Sequence, residues 1–278
     1  MSNEPSGFGA DIFVAPGERD PVKAARDPAR TLPKRFYKQV SVGSAADGFE
    51  VLLDGRPVNT PARRRLAAPS ADLAQALAVE WTAQGETIDP ASMPLNRLAN
   101  TALDGVADKM DEVEAALVKY ADADLVCYRA DAPETLVTAQ AEAWDPIVAF
   151  ARERLGARLN LAEGVMFVAQ SDSARAALAA AVRERIGDGP AAPFRLVALY
   201  EMTTLTGSLA LALACAYRIV SLDEAWAAAN VDEDCQMRVW GADAEAMTRQ
   251  ARRRSDMRAA ARMAELAGAF AASGAAVG

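Results

Sequence analysis

The spacing of apolar and polar positions changes along the chain, and each change predicts an element. Over residues 36–42 large apolar and polar side chains alternate, as in a strand with one buried face, and the run stops at Gly43. Residues 49–53 predict a second strand. Asp54-Gly55 follows, then Arg56-Pro57-Val58, which reads as a hairpin closed by a two-residue type I′ turn. Pro57 has no N–H for a ladder, so its strand is expected at an edge. Residues 65–68 are expected to add one further short strand. From Ser70, a candidate cap, Leu73, Leu77 and Trp81 with Ala74 and Ala78 form an apolar stripe at helical spacing that stops near Gly85.

Leu95, Leu98, Ala102 and Val106 predict a second amphipathic helix, and Val113, Leu117 and Tyr120 a third. Residues 124–128 predict a short strand, and the turn Asp131-Ala132-Pro133 marks a domain boundary. Beyond it the period is helical almost throughout: residues 135–155 with Trp144, Ile147 and Val148, then 171–186, then 194–220 as one run. Ser221-Leu222-Asp223-Glu224 matches a capping box before a short helix with Trp226. The last helix is expected over 243–266. The organisation predicted is a leader over 1–34, a domain over 35–130 with a small antiparallel sheet and covering helices, a helical domain over 131–266 and a frayed tail over 267–278. The fold class is α+β.

Length supports two cores rather than one, since 278 residues exceed what a single hydrophobic core organises. Apolar residues make up 51% of the chain and aromatics only 6%, with alanine abundant, which favours helix. The formal net charge of −8 disfavours nucleic acid or an anionic bilayer and favours a basic partner surface. Arg63-Arg64-Arg65 and Arg252-Arg253-Arg254 are short basic clusters that read as solvated surface. Histidine is absent, which removes Ser-His-Asp and Cys-His catalysis and the commonest zinc and haem ligand. Cys127, Cys215 and Cys235 are odd in number and lack CxxC spacing, so neither a disulfide framework nor a zinc knuckle is predicted. The leader has no secretory or transit-peptide character, and no apolar run approaches the ~18 residues of a membrane span. A soluble cytoplasmic protein is expected.

The densest carboxylate group is Asp232-Glu233-Asp234, just before Gln236 and Trp240-Gly241. Neighbours on a helix fan out by about 100°, so three consecutive acids cannot face one ligand. They read as an acidic helix start favoured by the helix dipole, or as an exposed anchor for a basic partner. A metal-assisted hydrolase using these carboxylates is the rival reading, and it needs ligands from elsewhere in the chain. Trp81 has the size of a core wedge between helix and sheet. The hydroxyl-rich stretch around Thr203, Thr204, Thr206 and Ser208 lacks a Ser-x-x-Lys motif and reads as close helix packing. No GxGxxG or GxxxxGK[ST] loop occurs, so no phosphate cradle or nucleotide cofactor is predicted.

The order of several longer motifs resembles the ATP12-type assembly chaperones, which serve the α subunit of F1-ATPase. These motifs are Arg35-Phe36-Tyr37-Lys38, Leu53-Asp54-Gly55-Arg56-Pro57-Val58-Asn59-Thr60-Pro61, Val79-Glu80-Trp81 with Gln84, and Met93-Pro94-Leu95-Asn96-Arg97-Leu98-Ala99-Asn100-Thr101-Ala102. They continue with Asp124-Leu125-Val126-Cys127-Tyr128-Arg129, Gln140-Ala141-Glu142-Ala143-Trp144-Asp145-Pro146, Leu205-Thr206-Gly207-Ser208 and Val231-Asp232-Glu233-Asp234-Cys235-Gln236, ending at Trp240-Gly241. The resemblance spans residues 35–262. It implies an α+β domain followed by a helical one, no catalysis, no cofactor, and transient binding of unassembled α subunit, with no nucleic acid and no membrane insertion. A monomer is favoured. In the family an acidic residue just before the Gln-x-x-x-Trp-Gly segment is needed for function, which maps to Glu233, with Asp232 and Asp234 as neighbouring registers and Gln236 beside them. Trp81, Trp144, Trp240 and Gly241 are implied as structural residues. A bacterial cytoplasm is the implied location.

Overall fold

The computed structural model describes residues 32–46, 48–164, 167–241 and 243–270, with only the backbone of residues 239 and 240. The leader up to residue 31, the tail from residue 271 and the side chain of Trp240 lie outside the described residues. The chain forms two compact units that divide between Lys109 and Met110, earlier than the boundary expected after residue 130. The intervening helix packs on helices of the second unit. The fold is α+β.

In the first unit β1 (Val40–Ala45) and β2 (Gly48–Leu53) pair antiparallel with Val42 opposite Val51, and β3 (Arg56–Pro57) and β4 (Ala67–Ala68) both pair with β2. Val51 and Leu53 point into the core, where α1 (Ala71–Thr82) lies across β1 and β2. Ser70 caps α1, its side chain accepting from the Leu73 N–H, as its position predicts. The hairpin turn also forms as expected, with Asp54 at φ 48° and Gly55 at φ 77°, the two positive values a type I′ turn requires. The first strand starts later than the alternation suggested. The Lys38 and Gln39 N–H groups donate to the Asp54 carboxylate, at 3.0 and 2.8 Å, so no neighbouring strand receives them. Those two backbone donors, Gln39 foremost, hold the Asp54 carboxyl below the usual range.

Packed beside α1, α2 (Pro94–Thr101) continues into one π-type turn, Ala102–Val106. Its N-terminus is held by a side chain from α1: the Glu80 carboxylate accepts from the Leu95 and Asn96 N–H groups, each at 2.9 Å, and from the Asn96 side chain at 2.8 Å. Trp81 is half-buried rather than a full wedge against the sheet. Its indole Nε1 donates to Asn96 Oδ1 at 2.8 Å, and its ring meets Tyr37 edge to face. It therefore ties α1 to α2. The last residues of the expected leader are also fixed, since the Ile88 N–H donates to the Pro33 carbonyl at 2.8 Å.

The second unit comprises α3 (Met110–Val118), β5 (Tyr128–Arg129), α4 (Glu134–Arg154), β6 (Ala162–Glu163), α5 (Asp172–Ile186), α6 (Ala192–Thr206), α7 (Leu209–Ala216), α8 (Leu222–Ala229), α9 (Val231–Trp240) and α10 (Ala244–Leu266). Every residue of α7 is buried, and α4, α5, α6 and α8 pack around it. The single helix expected over 194–220 is two. Gly207 takes the left-handed conformation at φ 68°, and the Ser208 side chain then caps α7 by accepting from the Leu211 N–H. The strand expected over 124–128 is replaced by a 3-10 turn, Leu125–Cys127, followed by the two-residue β5, which pairs in parallel with β6. Asp124 explains the difference. Its carboxylate, fully buried, accepts from the Val126 N–H at 3.2 Å and the Ala210 N–H at 2.9 Å, fixing a turn and the start of α7 with one side chain.

The capping box is present, with the Ser221 N–H donating to Glu224 Oε2 and the Glu224 N–H to Ser221 Oγ. Ala267 and Ala269 are buried beyond α10, where the sequence suggested fraying. No helix among the described residues is long and apolar enough to cross a membrane.

Candidate partner-binding site

Helix α9 carries the three consecutive acids in its first turn, where they complement the unpaired N–H groups and the helix dipole. The successive rotation sends them to three surroundings. Asp232 turns inward: its Oδ1 accepts from Gln140 Nε2 of α4 at 2.7 Å, and Gln140, itself buried, accepts from the Ala130 N–H at 2.8 Å. Glu233 turns outward, its side chain 57% exposed, with Oε1 3.8 Å from Arg253 Nη1 of α10. Asp234 points toward α4 and α8. The acids do not converge. Among the described residues no group of three or more cysteine, aspartate or glutamate side chains is placed to hold a metal ion.

Two grooves flank α9. The first, about 500 Å³, is lined by Glu233, Gln236, Met237 and Gly241 on one side and Arg249 and Arg253 of α10 on the other. Arg253 is held in place there, since its Nη2 donates to the Leu205 carbonyl at 2.7 Å. Gln236 is exposed on the same face, and Gly241 ends α9 at φ 86°, a conformation that favours glycine. The second groove, about 480 Å³, lies between α4, α8 and α9 and includes Asp234. So the structure brings Glu233, Gln236 and Gly241 to one groove, places Asp234 at the other, and uses Asp232 to attach α9 to α4.

Trp144 supports this arrangement from within. Its ring has no exposure, its Nε1 donates to the Ala228 carbonyl at 2.7 Å, and the Arg129 guanidinium lies 5.3 Å from its centre. That contact joins α4 to the last turn of α8, two residues before Asn230, where the chain turns into α9. Two of the three cysteines, Cys127 and Cys215, and the Thr203 and Thr206 hydroxyls are buried. Burial, with the nearby Asp124 charge, pushes the Cys127 thiol up to about 12, and burial pushes Cys215 up to about 11, so both stay protonated at neutral pH. The Thr203 and Thr206 hydroxyls donate back to the Leu199 and Met202 carbonyls, each at 2.8 Å, which matches the close-packing reading of that stretch.

Sequence reasoning missed the partners of α9. Arg249, Arg253 and Glu142 carry no motif that points to a site, and only helix packing brings them beside the acids of α9. A usable signal existed in α4, where Ala139, Glu142, Ala143, Pro146 and Ile147 share one face at i, i+3, i+4, i+7, i+8 spacing.

The profile of the ATP12 chaperone protein family matches residues 34–152. The Atu1473 protein of Agrobacterium tumefaciens is 44% identical, with a TM-score of 0.80 over 92% of this chain and 95% of its own. Atp12 of Paracoccus denitrificans is 42% identical, with a TM-score of 0.78 over 84% of this chain and 98% of its own. A variant of the Paracoccus protein with one aspartate changed to lysine matches at 41% identity and a TM-score of 0.77, over the same shares. Identity at this level over nearly the whole of each relative is carried by both units of the fold, and the chain belongs to the ATP12 chaperone family.

Proposed function

We propose that this protein binds the unassembled α subunit of F1-ATPase, keeps it from aggregating and releases it to the β subunit during ATP synthase assembly. It acts as a monomer in a bacterial cytoplasm, without cofactor and without catalysis. An unassembled subunit exposes a surface that its neighbour later covers, apolar at the centre and prone to self-association, and a chaperone has to cover it reversibly. Membership of the chaperone family supports the role. The observation that carries the choice of surface is Glu233, an outward-facing carboxylate at the lip of a groove that also offers Met237 and the stems of Arg249 and Arg253.

Glu233 serves as the anchor for a basic or polar group of the α subunit, and Gln236 lies one turn further along the same groove. Rim charges of this kind govern encounter rate and selectivity more than affinity, so salt weakens the complex mainly by slowing association. The rival reading, a carboxylate-dependent metal-assisted hydrolase, requires converging acids, and Asp232, Glu233 and Asp234 diverge.

Co-purification from cells in which the α subunit is expressed without the β subunit tests the proposal. Parent protein is expected to capture α subunit and Glu233→Lys to lose most of that capture while keeping its melting temperature. Equal capture by Glu233→Lys removes the anchor, and failure of the parent to prefer α subunit over unrelated chains removes the function.

A further inference from the structure

The second groove differs in chemistry from the one at Glu233. Its floor is apolar, formed by Ala143, Ile147, Ala228 and Val231. Its rim carries three carboxylates from three different helices, Glu142 of α4, Glu224 of α8 and Asp234 of α9. Neither Glu142 nor Asp234 has an ion-pair partner among the described residues. Glu224 is held below the usual carboxylate range by the Ser221 backbone and side chain, so it is charged at neutral pH. A further acceptor comes from the main chain. Pro146 lines the groove inside α4 and has no N–H, so the Glu142 carbonyl one turn earlier lacks its helical donor. The lining cation, Arg238, is drawn along its own helix, where Nε donates to the Asp234 carbonyl at 3.2 Å and Nη2 to Cys235 Sγ at 3.1 Å.

The groove therefore joins apolar floor to a rim of acceptors with negative charge. An acidic segment is repelled there, and a purely apolar one leaves Glu142 and Asp234 facing it without an ion-pair partner. We propose that the groove between α4, α8 and α9 seats a segment of a bound protein in which an apolar side chain is flanked by arginine or lysine. The apolar side chain lies on Ala143, Ile147 and Val231, and the basic heads reach the Glu142 and Asp234 carboxylates and the Glu142 carbonyl. Long basic side chains suit both zones, because their methylene stems cover apolar surface while their heads stay among the acids. The assignment rests on the reading that this protein holds another chain, and it gives α9 a second client surface on the flank away from Glu233.

The test uses the full-length protein and a capped arginine-leucine-arginine peptide, with citrulline-leucine-citrulline as the uncharged counterpart of the same shape. Methyl resonances of Ala143, Ile147 and Val231 report binding. The arginine peptide is expected to shift them saturably, at least tenfold more weakly for Glu142→Gln/Asp234→Asn, and the citrulline peptide to bind at least tenfold more weakly than the arginine one. Unchanged chemical shifts of Ile147 and Trp144 in the unliganded double variant show that the floor stays folded. Equal binding of the two peptides, equal binding by the double variant, or shifts confined to Met237 and the Glu233 groove overturn the proposal. Capture of α subunit by parent protein is measured separately, so a failed client assignment and a failed groove assignment give different results.

Discussion

Asp232 Oδ1 accepts a hydrogen bond from Gln140 Nε2 across 2.7 Å, joining two side chains 92 positions apart in the chain. This bond gives the first of the three acids a task different from that of the second. Asp232 positions α9 on α4, and through Gln140 it also reaches the Ala130 backbone. Asp232→Ala leaves a buried amide donor unpaired, which costs about 1–3 kcal/mol. Denaturant unfolding is expected to show that loss, while Glu233→Ala, at an exposed position, changes stability by less than about 0.5 kcal/mol. Equal effects of the two substitutions would contradict the division of roles.

Asp124 predicts a pH dependence of stability. Burial raises its carboxyl to about 6, against the opposing effect of hydrogen bonds from Ser208 and the Ala210, Val126 and Leu209 N–H groups. The folded chain therefore holds this proton more tightly than the unfolded one. The stabilisation from protonation is complete below the unfolded value near 4 and is lost as pH rises through 6, levelling off above about 7. A shift of about two units corresponds to roughly 3 kcal/mol. Unfolding free energies measured from pH 4 to 7 are expected to fall by that order more in the parent than in Asp124→Asn, which does not titrate.

Trp144 is the structural tryptophan with the largest expected effect. Trp144→Phe removes the donor to the Ala228 carbonyl and leaves a void beside α8. The two losses together amount to about 3 kcal/mol. Calorimetry is expected to show the melting transition lowered by several degrees, with α-subunit capture reduced in step because α9 follows α8 directly.

Divalent ions are expected to leave stability unchanged. A bound metal raises the unfolding free energy by mass action, about 2.7 kcal/mol at a hundredfold excess over its dissociation constant. Magnesium, manganese and zinc, each titrated into the protein during thermal unfolding, are expected to give no saturable rise. A saturable rise abolished by Asp234→Asn would restore the hydrolase reading.

Local chemistry was legible wherever one stretch of chain satisfies itself. Asp54-Gly55 makes its own turn, Ser70 and Ser221 cap their own helices, and the acids at 232–234 start a helix, because each of these depends on backbone groups within a few residues. The order of motifs carried the family as well. The expectations that failed are those settled at long range. Residues 36–39 alternate like a strand, but the Asp54 carboxylate takes the N–H groups of 38 and 39. Residues 124–128 have strand composition, but Asp124 is drawn into the start of α7, 86 positions away.

By itself, then, the sequence determined the class of fold, most helix ends, the absence of imidazole chemistry and the family. Tertiary structure alone decided which acid faces outward, because a helix turns about 100° per residue and its neighbours choose which face remains open. Packing of α9 against α4 engaged Asp232 with Gln140, left Glu233 at one groove and gave Asp234 to the other.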